Sequence, residues 1–178
     1  VAFLGAVARL GPWLGERRSD VPALAALRER LPDTAGLRRR LDDTVDERGE
    51  VRDEASPRLA RLRRDVRDLE ERVDAKLKRV LASDRVRPHL ADFSIHRRGG
   101  RRVLAVKARQ SGRVRGLVCD RSQTGETVFV EPEGVLEESN KLSELELETT
   151  REIQRVLVEL TRAVLSSEGD LAAAAGAL

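Results

Sequence analysis

The chain has 178 residues, enough for one domain or one elongated module, and its 37% charged residues exceed the usual quarter while 40% hydrophobic residues could still fill a core. Only four aromatics occur, Phe3, Trp13, Phe93 and Phe129, which argues against a large aromatic core and against a surface that stacks bases. The net charge is +3, but 11 basic and 2 acidic residues lie between Arg85 and Arg121, the footprint of a polyanion partner. From Glu133 to Glu168 the balance reverses, with 4 basic against 9 acidic residues.

The single cysteine, Cys119, leaves no internal disulfide and no multi-cysteine metal site, and it suits a reducing cytoplasm. No apolar run approaches the roughly 20 residues that span a bilayer, and no charged-then-apolar leader opens the chain. With no Met and Val1 in first place, the sequence reads as a piece of a longer protein.

In chain order, residues 2–10 predict a short helix stopped by Gly11-Pro12. A second runs from Val21 to Leu31, with Asp20 as N-cap and Pro22 in its first turn. A third runs from Ala35 to Glu47, capped by Asp33 or Thr34, and a connector punctuated by Gly49 and Pro57 follows. Between Ser56 and Ser83, the residues Leu59, Leu62, Val66, Leu69, Val73, Leu77 and Val80 keep coiled-coil spacing over about 40 Å. A second long helix, from Gly134 to Ser167, carries Leu142, Leu145, Thr149, Ile153, Val156, Leu160 and Val164 over about 50 Å. Two such stripes bury each other only if the helices run antiparallel. The Ala-rich tail "LAAAAGAL" is expected to fray.

Between the long helices the period changes to two. Four short strands, "DFSIHR", "RVLAVKA", "RGLVCDR" and "ETVFVEP", are separated by "GG", "QSG" and "SQTG". A simple meander capping the helix ends would point its first and third turns away from the arm. The distal tip would then be basic, with Arg97, Arg98, Arg101 and Arg102 around the Gly-Gly hairpin and Arg121 beside Ser122 and Thr124. Lys107, Arg109, Arg113 and Arg115 would lie nearer the arm.

These stretches resemble the lever and clamp of the second bacterial MutS branch, the MutS-two family. The family form is approximately G-R-x-V-L-P-V-K, then G-R-V-x-G-x-V-H-D-x-S-x-S-G-x-T-x-F-x-E-P, then x-N-x-L-x-x-L. It is met at Arg102, Val103, Leu104, Val106, Lys107, Gly112, Arg113, Val114, Gly116, Val118, Asp120, Ser122, Gly125, Thr127, Phe129, Glu131, Pro132, Asn140, Leu142 and Leu145. Ala105 and Arg115 replace prolines, Cys119 a histidine and Thr124 a serine. The match covers about residues 45 to 165, and the first 45 residues fit the family's core helices more loosely. The resemblance implies a cytoplasmic, homodimeric parent with a MutS-type ATPase using ATP and Mg²⁺ and, commonly, an Smr endonuclease domain. It implies binding of branched or duplex DNA in repair and recombination, or of rRNA in rescue of collided ribosomes.

For catalysis the sequence offers little. Cys119 with His96 or His89 would be a thiol and base, but alternation places Cys119 with Leu117 as a buried structural residue, and His96 as an exposed one. Asp120, Arg121, Ser122 and Thr124 read as a turn held by side-chain hydrogen bonds. The carboxylates of residues 133–168 read as a solvated helix face, and no P-loop, H-E-x-x-H or Cys-x-x-Cys is present.

The expected fold is α+β, mainly α: a helical core segment (1–50), antiparallel coiled-coil lever helices (51–84 and 133–168), a four-stranded clamp at their tip (85–132) and a tail (169–178). The expected function is a sequence-independent grip on nucleic-acid backbone, through Arg97, Arg98, Arg101, Arg102, Lys107, Arg109, Arg113, Arg115 and Arg121. The alternative is a coiled-coil arm for protein docking or dimerisation. No catalytic site, cofactor, metal, membrane or small-molecule substrate is expected for the chain itself.

Overall fold

The structure is a computed structural model describing residues 2–17 and 33–177; the helix expected from Val21 to Leu31 lies outside the described residues. The described elements are α1 (Ala2–Glu16), α2 (Ala35–Thr44), α3 (Pro57–Ala82), β1 (Leu90–Arg98), β2 (Arg101–Lys107), β3 (Gly116–Arg121), β4 (Thr127–Pro132), α4 (Leu136–Ser166) and α5 (Glu168–Ala177). The fold is α+β, mainly helical, with one four-stranded antiparallel sheet. The chain forms two compact units, Val1–Ala60 with Arg151–Leu178, and Arg61–Thr150.

In the first unit, α1 does not stop at Gly11-Pro12 but continues to Glu16. Leu4, Val7 and Leu14 share one helical stripe and are all buried. Ending the helix at Pro12 would take Leu14 off that stripe, and a proline removes only one hydrogen bond. Thr34 is the N-cap of α2 but its hydroxyl makes no capping bond; the Asp33 carboxylate before it accepts the Ala35 N–H instead, at 2.9 Å. α2 ends at Thr44, short of Glu47, because Asp46 turns the chain by accepting the Arg48 and Glu50 N–H groups, which pairs Val45 with Val51. Ser56 caps α3: its hydroxyl oxygen accepts the Leu59 N–H (3.0 Å), and its hydroxyl donates to buried Glu152 (2.6 Å). Beside this cap, Val51, Leu59 and Val156 form a small core. The tail does not fray but forms α5, as alanine's helix propensity favours, and Ala174 is fully buried.

The second unit holds the sheet, whose order is β1-β2-β4-β3 rather than a meander. β2 pairs with β4 and leaves β3 on the edge. The segment "QSG" is therefore no hairpin. Residues 108–113 form a 3-10 segment that carries the chain along β4, from its Thr127 end, where Ala108 N–H donates to Glu126 O (2.8 Å), to its Pro132 end, where Gly116 faces Pro132. The reason lies in the side chains. "VLAV" of β2 and "VFV" of β4 are apolar on both faces, and these segments belong at the sheet centre. Gly116 is obligatory at the β3–β4 approach, since a Cβ there would lie 2.1 Å from Glu131 O.

Leu104, Val106, Val128 and Val130 of one sheet face pack with Leu90, Val114 and Val135 onto Val73 and Leu77 of α3. The sheet thus lies along the last three turns of α3 instead of capping its end. Lys76 of the same helix pairs with Glu138 and donates to Gly134 O (3.2 Å) at the start of α4.

Candidate nucleic-acid interface

The strand order moves the Gly-Gly hairpin. Gly99 and Gly100, at φ +56° and +80°, turn β1 into β2 beside the Pro132 end of β4, from which the chain runs into α4. The Ser122–Gly125 turn lies at the opposite end. The hairpin arginines are therefore not a distal tip, and carboxylates engage all four. Arg102 donates to Glu70 (2.7 Å), stands 2.7 Å from Asp74 and is only 10% exposed. Arg97 donates to the same Glu70 (3.1 Å). Arg101 bridges Glu131 (2.6 Å) and Asn140 (2.8 Å). Arg98 lies over the Phe129 ring, 4.1 Å from its centroid, and pairs with Asp120 (3.3 Å). All four are among the phosphate-contact candidates of the sequence, and each is engaged within the fold. They brace the sheet against α3 and α4 and across its outer face.

That outer face buries Val103, Ala105 and Phe129, with Cys119 against them. Glu131 is fully buried there; Arg101 holds one carboxylate oxygen, while Oε1 has no hydrogen-bond partner. His96 is not exposed. It is half-buried, edge-on to Phe129, with Nε2 2.9 Å from the Asp92 carboxylate. His89 Nδ1 is hydrogen-bonded to Gln110 (2.7 Å). Neither imidazole faces the thiol as a base. On this edge strand, which is bulged between Val118 and Asp120, Leu117 is exposed and Cys119 is only half-buried. Burial, with the nearby Glu131 charge, still pushes the thiol pKa above its ordinary value, which disfavours the nucleophilic thiolate.

The remaining candidates sit elsewhere. Arg109 and Arg113 lie on the crossover, Arg115 precedes β3 and Arg121 is its last residue. All four are exposed, and their side chains have no ion-pair partner among the described residues. Lys107 is exposed too, its ammonium donating to Pro88 O (3.0 Å). The third turn is closed by backbone and hydroxyl together: Gly125 N–H donates to Ser122 O (2.9 Å), and Ser122 Oγ accepts the Thr127 N–H (3.1 Å). The two-face apolarity of β2 and β4 was the signal that could have placed β3, and its arginines, at the edge.

No family model matches the chain. Among curated proteins it is similar to the Endonuclease MutS2 of Geobacillus sp. (strain WCH70), at 37% identity over 151 residues, 85% of this chain and 19% of that protein. The Endonuclease MutS2 of Halalkalibacterium halodurans is 35% identical over 156 residues, 88% of this chain and 20% of that protein. That of Gemmatimonas aurantiaca is 41% identical over 113 residues, 64% of this chain and 14% of that protein. The chain spans about a fifth of the length of the first two. With such identity over most of its residues, the chain belongs to the MutS2 family.

Proposed function

We propose that this chain is the lever-and-clamp region of a MutS-type DNA repair protein, and that its sheet grips nucleic-acid backbone without reading sequence. The carrying observation is the set of exposed arginines, Arg109, Arg113, Arg115 and Arg121, that no carboxylate among the described residues engages. A guanidinium held by a carboxylate gains little from a phosphate. An unengaged one releases counterions on binding, which gives affinity independent of sequence and steeply dependent on salt. Lys107 joins this set. The ligand class is a duplex or structured backbone, branched DNA or rRNA on stalled ribosomes.

In this reading α3 and α4 are the lever. Contacts within each unit support it: Leu59 with Val156 and Ser56 with Glu152 in one, Lys76 with Glu138 in the other. The parent is a cytoplasmic homodimer with ATPase and endonuclease domains. This sequence contains no G-x-x-x-x-G-K-[ST] loop to cradle a triphosphate. A second reading, a protein-docking arm, draws on β3, an edge strand with Leu117 49% and Val118 48% exposed.

Titration of the chain with branched DNA, linear duplex and structured RNA, from about 50 to about 200 mM salt, separates the two readings. Five phosphate contacts predict a log K against log salt slope of about −4.5. Binding that ignores salt, or no binding to any of the three, would remove the backbone reading.

A further inference from the structure

The bulge of β1 presents a feature that a backbone grip does not use. Between the pairs Leu90–Val106 and Ile95–Leu104, β1 advances five residues while β2 advances two, so residues 91–94 stand out from the ladder. Asp92 fixes the bulge, its carboxylate accepting the Ser94 N–H (2.9 Å) and meeting His96 Nε2. Bulges re-aim side chains, often next to functional sites. Here the side chain at the crown is Phe93, 59% exposed, with the Arg87 guanidinium 5.2 Å from its ring centroid.

Beside the ring lies an open cavity of about 430 Å³ whose walls include Asp84, Arg87, Pro88 and Lys107. That volume is within the range of small-molecule clefts, roughly 300–1,000 Å³. An aromatic face, two cations and one acceptor carboxylate together match one ligand chemistry. We infer that this cavity takes a single unstacked nucleobase: the base stacks on Phe93, Arg87 and Lys107 hold its phosphate, and Asp84 accepts a hydrogen bond from an exocyclic amine. A fully paired duplex offers no free base face. The site therefore selects branch points, bulges and loops from duplex that the arginines hold indifferently. One exposed ring is too little for a single-strand platform but enough for one extruded base. This inference rests on the backbone reading and names its substrate class.

The test uses the 178-residue chain with probes carrying 2-aminopurine, either as a single unpaired base or paired in an otherwise identical helix, in DNA and RNA versions. Wild type should bind the unpaired probe about 5- to 100-fold more tightly than the paired one, with 2-aminopurine emission quenched. Phe93→Leu should lose that preference and the quenching while keeping wild-type affinity and salt slope on the paired probe. Phe93→Trp should restore both. The DNA and RNA arms show which source the site accepts. If wild type binds the paired probe salt-sensitively but shows no preference in either arm, or if Phe93→Leu keeps the preference, the stacking site is wrong and the backbone grip stands. Failure to bind any probe removes both.

Discussion

Replacing Arg102 with Leu separates an internal brace from a phosphate contact. Its guanidinium, 10% exposed, holds Glu70 and faces Asp74, each at 2.7 Å. Removing one partner of a buried ion pair costs about 3–5 kcal/mol, whereas exposed pairs contribute about 0–1 kcal/mol. Glu70 and Asp74 are 30% and 41% exposed, so water recovers part of their solvation once the arginine is gone. They are also left one helical turn apart with like charge, worth a few tenths of a kcal/mol. The expected loss is about 2 kcal/mol, or a Tm lower by about 4–8 °C for a chain of this size. Arg102→Lys should recover less than half, because one ammonium cannot face both carboxylates in the geometry of a guanidinium. Thermal melts by circular dichroism, with a nucleic-acid salt series on the same samples, give the reading. A Leu variant that melts with wild type but loses about 0.9 from its salt slope would make Arg102 a phosphate ligand and refute the brace.

Three further outcomes follow from individual sites. Gly116→Ala puts a methyl 2.1 Å from Glu131 O and must part β3 from β4; a loss of about 3 kcal/mol or more is expected in urea unfolding, and a midpoint equal to wild type would contradict the close approach. Glu152, hydrogen-bonded by Arg155 and Ser56, has its pKa lowered from 4.5 to about 2. The sign is that of a depressed acid: its stabilisation is complete above about pH 4.5 and is lost as pH falls towards about 2. Glu152→Gln should therefore be less stable than wild type at pH 7, with the gap closing across that window, and urea midpoints at pH 7 and pH 3 check it. Cys119, its pKa raised by burial and by Glu131, should react with iodoacetamide at pH 8 much more slowly in the folded chain than in urea; equal rates would contradict its packing against Phe129.

Period alone was enough for much of the fold. The stripes on α3 and α4 are the buried faces: Leu59, Leu62, Val73 and Leu77 on one, Leu142, Val156 and Leu160 on the other. The strands were legible because β-branched alternation interrupts a helical chain. Their order was not, since a period of two tells which residues share a face and not which strand lies alongside. "QSG" looks like a turn, and only the double-faced apolarity of β2 and β4 hints that the chain crosses over instead. That single difference relocates the hairpin, and with it four of the nine candidate arginine and lysine residues. Arg97, Arg98, Arg101 and Arg102 are indistinguishable in sequence from Arg109, Arg113, Arg115 and Arg121. What divides them is the placement of Glu70, Asp74, Asp120 and Glu131, which are distant in sequence. Pro12 and the alanine tail misled for a simpler reason: local punctuation yields to packing when a buried residue, Leu14 or Ala174, lies beyond it.

The most direct test of the central claim sets two four-arginine variants side by side on one duplex. In the first, Arg109, Arg113, Arg115 and Arg121 become Ala; in the second, Arg97, Arg98, Arg101 and Arg102 do. The first should melt like wild type and flatten the salt slope by about 3.6, while the second should melt lower and keep its slope under conditions where it stays folded. A first variant with wild-type affinity and slope, beside a second that loses both without melting lower, would contradict that claim.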